Sequence, residues 1–551
     1  AVKLSDSGVS CAPAFTGGQA LDFSFNYSNP TVGTKLPLLN ATSMATAGQI
    51  ETRTIVFDAN GEATLPIEYD DAGTLSFTLS ENVSSGVTSS TISKDFYPSK
   101  IVVTAKKEDG VLLNNATSSG DPKQVAGGDF NLSFSGQCSD NTETLNYQPQ
   151  SSTDIELAIR HILPSSVTSV LGALTVEGTL INATESANTD WQSINTREKE
   201  LVASYSEVGV ISINIKDTDY LGNELNTLGF INVGRFYPSY FEVSIDHGSF
   251  QNASSLDATP FTYVGMPLGY SYAPILTIRA KNYAGETTQN YTETSFQKLT
   301  EANVIRLFPS ADTTKNGVDT ITKMVVESTP VDGVISKLSN GVMDYTFSNA
   351  DTYTYSKDAN SEVSEFTVSY DILIDSITDS DQVGINSSTN ILVSVTELPL
   401  TVQPTEGVQR FGRLVLENSF GSENSSLAQS FEVEFLNTSG DYQRNSDDDF
   451  SVIISDDASW SFTNSTDDIV ISDLLLSGSD GSFSGGQLKN IELSSGGNQG
   501  AIDIEYTTPA WLQYNWSGKA SNLHDEDANA TATFGVYRGN DRIISWREVG
   551  N

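Results

Sequence analysis

Apolar and polar residues alternate along most of this chain. Near its middle, for example, Phe241, Val243 and Ile245 are separated by single polar residues. An alternation with a period of two puts one face of a strand in a core and the other face in water. Helical spacing is confined to 151–163 and 293–308, where it predicts short helices between strands. The pattern as a whole predicts an all-β protein.

Three short motifs occur twice, in the same order. In the corner motif, Tyr-x-x-x-Gly, the glycine can take a positive φ and the tyrosine ring can cover the turn, as in the tyrosine corner of immunoglobulin-like sandwiches. The motifs Phe-Tyr-Pro-Ser and Thr-x-Asn-Tyr follow it. Such repetition predicts one structural unit used more than once. The copies span 69–73 and 205–209, 96–99 and 236–239, and 144–147 and 288–291.

The order of these motifs also predicts domain boundaries. A chain of 551 residues is too long for one hydrophobic core, since domains usually have about 100–200 residues. The short stretches between units indicate semi-rigid joints. We therefore predict tandem immunoglobulin-like β-sandwich domains in an elongated rod. The predicted domains are 1–94, 95–234, 235–404 and 405–551.

The Phe-Tyr-Pro-Ser motif stands where two predicted domains meet. Proline stiffens the backbone and cannot donate to a central ladder, so it suits the start of a strand. We predict that these residues pack between domains, and the alternative is an ordinary first-strand core. The predicted interdomain residues are Phe96, Tyr97, Pro98, Phe236, Tyr237 and Pro238.

The charge of the chain excludes two classes of partner. It has 70 acidic and 29 basic residues, a formal net charge of -41. Nucleic acid needs lysine and arginine to neutralise its phosphates, and anionic membrane surfaces need them too, so neither is an expected partner. No stretch approaches the roughly 18 apolar residues that span a bilayer, so no membrane insertion is expected.

Motifs for catalysis are missing from the sequence. The three histidines, His161, His247 and His524, are scattered over three predicted domains and have no zinc-site spacing. No nucleophile elbow, phosphate-binding loop or dinucleotide-binding motif occurs. We expect no enzyme and no catalytic residues. A polysaccharide-active enzyme stays open as an alternative because any two carboxylates can meet across a groove.

Calcium is the one cofactor that the sequence leaves open. Asp379 and Asp381 have the opening spacing of a calcium loop, but Asn390 replaces the glutamate of its twelfth position. Asp525 and Asp527 belong to a second cluster of carboxylates. The alternative for both clusters is a solvated acidic turn.

Aromatic residues near the C-terminus suggest a sugar-binding alternative. Trp511 and Trp516 flank Tyr514, and an exposed ring can stack on a sugar. The two tryptophans are an odd number of positions apart, so in a straight strand they face opposite sides and at least one fills the core.

Two cysteines, Cys11 and Cys138, fit either one disulfide or two free thiols. No Cys-x-x-Cys pair suggests zinc or redox chemistry. A Cys11–Cys138 bond would tie the first predicted domain to the second.

Four stretches carry a family resemblance. They are FDANGEATLPIEYDDAG at 57–73, FTYVGMPLGYSYAPILTIRAKNYAGETTQNY at 261–291, RFGRLVLENSFGSE at 410–423 and ATATFGVYRGNDRIISWREVGN at 530–551. Together they resemble the MshQ-like family of β-rich bacterial proteins, which is typified by a biogenesis protein of the mannose-sensitive haemagglutinin (MSHA) type IV pilus. The likeness is most specific at the C-terminus.

The resemblance implies an extracellular protein on the cell surface or pilus of a Gram-negative bacterium. It implies a structural and adhesive role in pilus assembly or at the pilus tip, with minor pilin subunits as partners and a surface glycan as a further candidate. The alternative is a carbohydrate- or surface-binding adhesin module with calcium. The family offers no catalytic residues, and its cysteine-rich segments give Cys11 a second candidate role besides a bond to Cys138.

Overall fold

The chain folds as a series of β-sheets around separate hydrophobic cores. A computed structural model describes residues 2–4, 11–13, 16–81, 90–166, 168–182, 190–227, 229–253, 260–316, 323–357, 362–385, 398–519 and 523–535. These residues form four hydrophobic clusters in chain order. Each cluster with its sheets is called a domain below, numbered from the N-terminus. The predicted boundaries at 94, 234 and 404 stay predictions.

Domain 1 packs a four-stranded sheet, in the order β6-β3-β8-β9, against a short sheet, β5-β4-β7. Its core contains Phe23, Phe25 and Phe77, which point inward from alternating positions of β3 and β8. The strands are β1 Val2–Leu4, β2 Cys11–Pro13, β3 Gly17–Asn29, β4 Leu38–Leu39, β5 Thr42–Ser43, β6 Glu51–Phe57, β7 Ile67–Glu68, β8 Gly73–Glu81 and β9 Ser90–Phe96.

Domain 2 has a five-stranded sheet, β10-β12-β17-β14-β15, and a second sheet, β11-β20-β18-β13-β16, to which β19 is added. The strands are β10 Lys100–Lys106, β11 Gln124–Val125, β12 Asp129–Gln137, β13 Ile155–Leu163, β14 Ala173–Val176, β15 Thr179–Asn182, β16 Gln192–Ser193, β17 Glu200–Tyr205, β18 Gly209–Tyr220, β19 Asn223–Asn226 and β20 Ile231–Tyr237. β20 runs across the predicted boundary at 234.

Domain 3 contains the sheet β21-β25-β30-β29 and the smaller sheets β26-β33-β34, β27-β28-β31, β22-β24 and β23-β35-β32. The strands are β21 Tyr240–Asp246, β22 Ser249–Phe250, β23 Thr262–Tyr263, β24 Tyr270–Tyr272, β25 Ile275–Lys281, β26 Val304–Leu307, β27 Ala311–Asn316, β28 Lys323–Thr329, β29 Val334–Ser339, β30 Val342–Thr346, β31 Thr352–Tyr355, β32 Phe366–Thr367, β33 Ile372–Ile377, β34 Leu400–Val402 and β35 Val408–Arg410.

Domain 4 packs β36-β38-β44-β42, with β39 added, against β37-β46-β45-β41, and β40 pairs with β43. The strands are β36 Gly412–Leu416, β37 Ser419–Gly421, β38 Leu427–Leu436, β39 Tyr442–Arg444, β40 Val452–Ile453, β41 Trp460–Thr463, β42 Leu475–Gly478, β43 Gly481–Ser482, β44 Gln487–Ser494, β45 Gly500–Tyr506 and β46 Ala528–Phe534. Short 3₁₀ turns span Gln289–Thr292, Glu301–Asn303, Asp457–Ser459 and Ile471–Asp473.

The all-β prediction of tandem immunoglobulin-like domains is confirmed, but the two predicted helices are wrong. Residues 155–163 form β13, in which Ile155, Leu157 and Ile159 enter the core at every second position. Most of 293–308 is a loop with one 3₁₀ turn, followed by β26. Apolar residues spaced three or four apart occur in a strand whenever both faces are partly buried, so short runs cannot separate the two structures. Among the described residues, no helix has the length and apolar character needed to cross a membrane.

Both copies of the corner motif have the same surroundings. The Tyr69 ring packs edge-on against Phe96, 5.4 Å between centroids, and Tyr205 packs against Phe236 at 5.0 Å. Each corner glycine begins a strand and lies opposite that phenylalanine in the neighbouring strand. The sequence repeat therefore corresponds to a repeated structural corner.

We predict that Gly209→Ala destabilises domain 2 by at least about 2 kcal/mol, because the residue has φ +150° and an added Cβ would lie 2.3 Å from the Leu163 carbonyl oxygen. Calorimetry of the full chain measures the unfolding temperature of the domain. Gly269→Ala is the control, since the nearest heavy atom there would be 3.9 Å away. Equal unfolding temperatures for the two variants would contradict the prediction.

Candidate functional site

At the first two joints, the corner motif of one domain packs into the core of the next domain. Ala72 and Val208 each precede the corner glycine, and both are fully buried in the core of the following domain. A small apolar side chain at this position is therefore shared between two folded units. Burial of this kind favours one fixed arrangement of neighbouring domains.

At the first joint, a buried carboxylate receives the chain of the next domain. Asp71 is 2% exposed. Its Oδ1 accepts hydrogen bonds from the backbone N–H groups of Ala72 and Asn146, each at 2.8 Å. Thr34 donates to its Oδ2, and the Asn146 side-chain amide donates to the Tyr69 hydroxyl at 3.1 Å. The corner motif of domain 1 thus binds the Thr-x-Asn-Tyr motif of domain 2.

The second joint repeats this arrangement with a longer acid. Glu207 accepts N–H groups of Val208 at 2.8 Å, Gln289 at 2.9 Å and Asn290 at 3.1 Å. The Asn290 amide donates to the carbonyl oxygens of Val208 and Val170. Burial raises the pKa of Glu207 to about 7, although the three N–H groups favour the charged form.

The tyrosine of each Thr-x-Asn-Tyr motif binds a buried aspartate within its own domain. Tyr147 donates to Asp217 at 2.9 Å, and Tyr291 donates to Asp379 at 2.7 Å. Burial is the main cause that raises the pKa of both tyrosines, followed by the charge of the partner aspartate. These hydroxyls therefore stay protonated and act as fixed donors that hold the turn facing the preceding domain.

An arginine adds charge to the second joint, and another adds charge to the third. Arg235 forms a bidentate pair with Asp381, both contacts at 2.7 Å, and donates to the Gly120 carbonyl oxygen at 2.8 Å. Arg410 lies between Glu365 of domain 3 and the loop that contains Asp447 of domain 4. Bidentate pairs are directional, so they fix orientation as well as distance.

The third joint also uses a hydrogen bond between a tyrosine and an aspartate, but here the bond joins residues of two domains. Tyr263 of β23 lies in the core of domain 4 and donates to Asp448 at 2.8 Å. Asn445 donates to the same hydroxyl at 2.6 Å. The buried Lys357 of domain 3 donates to the carbonyl oxygens of Gly412 and Trp511, each at 2.7 Å.

Three family models match the chain. The description is "Domain of unknown function (DUF6701)": its first Ig-like domain matches residues 1–95, its third domain matches 207–397 and its fourth domain matches 410–549. The chain belongs to the DUF6701 family. The stretch between the first two matches contains most of domain 2. No curated protein matches the chain.

Two solved structures align with this DUF6701 chain at low identity. The FdeC adhesin of Escherichia coli is 11% identical, with 76% of this chain and 98% of that chain covered and a TM-score of 0.26. Invasin, a bacterial integrin-binding protein, is 9% identical, with 95% of this chain and 75% of that chain covered and a TM-score of 0.23. At these TM-scores the two likenesses carry no argument for the function of the DUF6701 chain.

The structure gives the first pair of calcium candidates a role in hydrogen bonding. Asp379 Oδ1 accepts the N–H groups of Asp381 and Val383 at 2.8 and 2.9 Å, and its Oδ2 accepts from Tyr291. Burial opposes the ionisation of Asp381, but Arg235 and Lys123 outweigh it and lower the pKa of that carboxyl. Both side chains thus have protein donors where a calcium ion would need free oxygens.

The second pair of calcium candidates, Asp525 and Asp527, differs from the first pair in its exposure and its hydrogen bonds. Asp527 Oδ1 accepts from Thr508 N–H and from the Gln513 amide, both at 2.9 Å, and Asp525 is exposed. Throughout the described ranges, no three His, Cys, Asp or Glu side chains are grouped so that they could hold a metal. Calcium binding by the DUF6701 chain stays a prediction.

The predicted interdomain residues divide between neighbouring domains. Phe96 and Phe236 pack with the cores of domains 1 and 2, in which β9 and β20 are the last strands. Two other predicted residues contact the following domain. Pro98 is buried close to Gly136 of domain 2, and Tyr237 packs against the core of domain 3. The remaining two differ, since Tyr97 is exposed and Pro238 is buried.

Cys138 is partly buried, and burial raises the pKa of its thiol. The side chain of Cys11 lies outside the described residues, although its backbone belongs to β2. The Cys11–Cys138 bond therefore stays a prediction. Trp511 packs against the core of domain 4, and Trp516 lies near Tyr514 and Arg413.

We predict that Glu207 makes the second joint sensitive to pH. A carboxyl with a pKa of about 7 in the folded chain and about 4.3 in the unfolded chain makes folding less favourable as the pH rises between those values. The unfolding free energy of the wild type, relative to Glu207→Gln, should therefore fall by about 3 kcal/mol from about pH 4.5 to about pH 7 and then level off. Urea unfolding of the full chain across this range measures the difference.

Glu200→Gln is the matched control, because Glu200 is exposed on β17 of the same domain. Its unfolding free energy should stay parallel to that of the wild type at every pH. If Glu207→Gln also stays parallel to the wild type, the titration of Glu207 does not contribute to stability.

Proposed function

We propose that this DUF6701 chain is a stiff, non-catalytic stalk of an extracellular adhesive protein. The observation that supports this most is the joint that occurs twice, in which the corner acid of one domain accepts backbone N–H groups from the Thr-x-Asn-Tyr motif of the next. A stalk must hold its binding end away from the cell. Joints that resist bending serve that purpose, whereas an enzyme needs a site for its reactants.

The energetics of the joints favour stiffness. Opening the second joint would expose a buried apolar residue, Val208, and break the two hydrogen bonds that Glu207 accepts from backbone N–H groups of domain 3. It would also separate Arg235 from Asp381, which form a directional bidentate pair with little solvent exposure. Only two residues separate β20 from β21, so little free chain is left to bend.

The charge of the chain suits an exposed surface. A net charge of -41 makes copies of the stalk repel each other and discourages the pairing of edge strands between them. Both effects keep neighbouring stalks apart when many stand close together on a cell.

Stiffness can be tested on the full chain by electron microscopy of single particles. We expect a narrow distribution of angles between domains 2 and 3 in the wild type. Arg235→Met combined with Glu207→Ala should broaden it, because the buried groups left behind have no partner. Glu200→Ala should leave it unchanged. A broad distribution in the wild type would contradict the stalk.

The pilus is the attachment point that we propose for the stalk. The support is the family resemblance of residues 530–551. The last strand, β46, ends at Phe534, and most of the resembling stretch lies outside the described residues. Minor pilin subunits are the proposed partners, on a Gram-negative cell surface.

In a bacterium with type IV pili that encodes this protein, we expect the full chain to sediment with pili sheared from the cells. The amount in that fraction should fall in a strain without minor pilins, while the total amount in the cell stays constant. Sedimentation that is independent of pili would contradict the pilus association but would leave the stalk untouched.

A further inference from the structure

One outer sheet face of domain 4 combines short polar side chains with one exposed aromatic ring. In the sheet β37-β46-β45-β41, the side chains that point away from the core form rows across the strands. Thr463, Asp503 and Thr531 lie opposite one another in one row, and Glu505 lies opposite Asn529 in the next. The face therefore offers hydrogen-bonding groups at regular spacing.

This face is concave. An open groove of about 640 Å³ runs across it, and its lining is mainly polar. The polar side chains that line it are Asn418, Thr463, Asp503, Glu505, Asn529 and Thr531. They include two carboxylates and no basic group. Such a lining offers hydrogen bonds rather than apolar contact, which suits a ligand that carries many hydroxyl groups.

The groups in the groove are held in place. Asp503 accepts hydrogen bonds from the Thr531 hydroxyl at 2.8 Å and from the Asn464 amide at 3.0 Å. Asn418 accepts from the Thr531 N–H at 2.8 Å. An ionised carboxylate has about four lone-pair sites, so Asp503 keeps capacity for further donors after these two.

Phe420 stands beside the groove. It is 85% exposed and lies in β37, opposite Thr533, so its ring is on the same face as Thr531 and Asn418. Strands are spaced about 4.8 Å apart, which places Phe420 about 10 Å across the sheet from the strand of Asp503. That span fits two linked sugar rings.

We propose that this face of domain 4 binds a neutral saccharide chain. Carboxylate and amide oxygens accept from sugar hydroxyls, the Thr463 hydroxyl and the Asn529 amide donate to them, and the Phe420 ring stacks on the apolar face of one sugar. None of the described residues that line the groove is basic, and its two carboxylates repel acidic saccharides, so the occupant carries no negative charge. The inference rests on the proposed function, because it adds a saccharide-binding surface to the proposed stalk.

The test uses the full chain on an array of neutral and acidic glycans, followed by calorimetric titration of the best neutral one. Phe420→Ala should weaken binding at least about tenfold, and Glu505→Ala should weaken it by a smaller factor. Tyr272→Ala and Glu200→Ala are matched controls, since Tyr272 is 49% exposed in domain 3 and Glu200 is exposed in domain 2. Both controls should bind like the wild type.

Three results would overturn the inference. They are the absence of binding to any neutral glycan, binding to acidic glycans alone, and neutral binding that Phe420→Ala leaves intact. Both altered residues are exposed, and an unchanged unfolding temperature establishes that a loss is local. The stalk is judged separately, by its particle angles and its sedimentation with pili, so a chain that binds no glycan can still be a stalk.

Discussion

The structure depends on the need of a buried carboxylate for hydrogen-bond donors. Asp71 and Glu207 are almost fully buried at domain joints, and their donors include backbone N–H groups of the following domain. A carboxylate without donors in such a place would cost far more than a surface one. The corner, the turn and the linker between them are therefore held in one arrangement, which packs domain 1 against domain 2 and domain 2 against domain 3.

Much of the fold followed from the sequence, because strand alternation and tyrosine corners are local patterns. The three repeated motifs located equivalent corners and turns, and Tyr69 and Tyr205 do have matching environments. The contact between two of the motifs was missed, since nothing in a linear pattern shows which repeats touch. One signal was present: an acid at the third position of both corner copies. The incorrect helix at 151–163 arose because β13 is partly buried on both faces.

The candidate sites were harder to predict because acidic turns and calcium loops share the same residues. Asp379 and Asp381 have the spacing of both. What decides between them is the identity of their partners, and Arg235 lies 146 positions from Asp381 in the chain. The polar groove of domain 4 gave no motif at all, since its polar residues come from three strands and the segment before β37, and each one alone is an ordinary outward-facing side chain.

The two matching joints have a consequence for how such chains can change in length. Domain 2 receives an acid at one end through Asn146 and presents an acid at the other end through Glu207. Its two ends are therefore complementary, because one end supplies the N–H donor of a joint and the other end supplies the acid. A gene that lost or duplicated this middle segment would still encode corner acids that face Thr-x-Asn-Tyr turns, although Asp95 stands at the first joint where Arg235 stands at the second. Recombination can thus change the number of domains in the chain while the existing type of joint is kept.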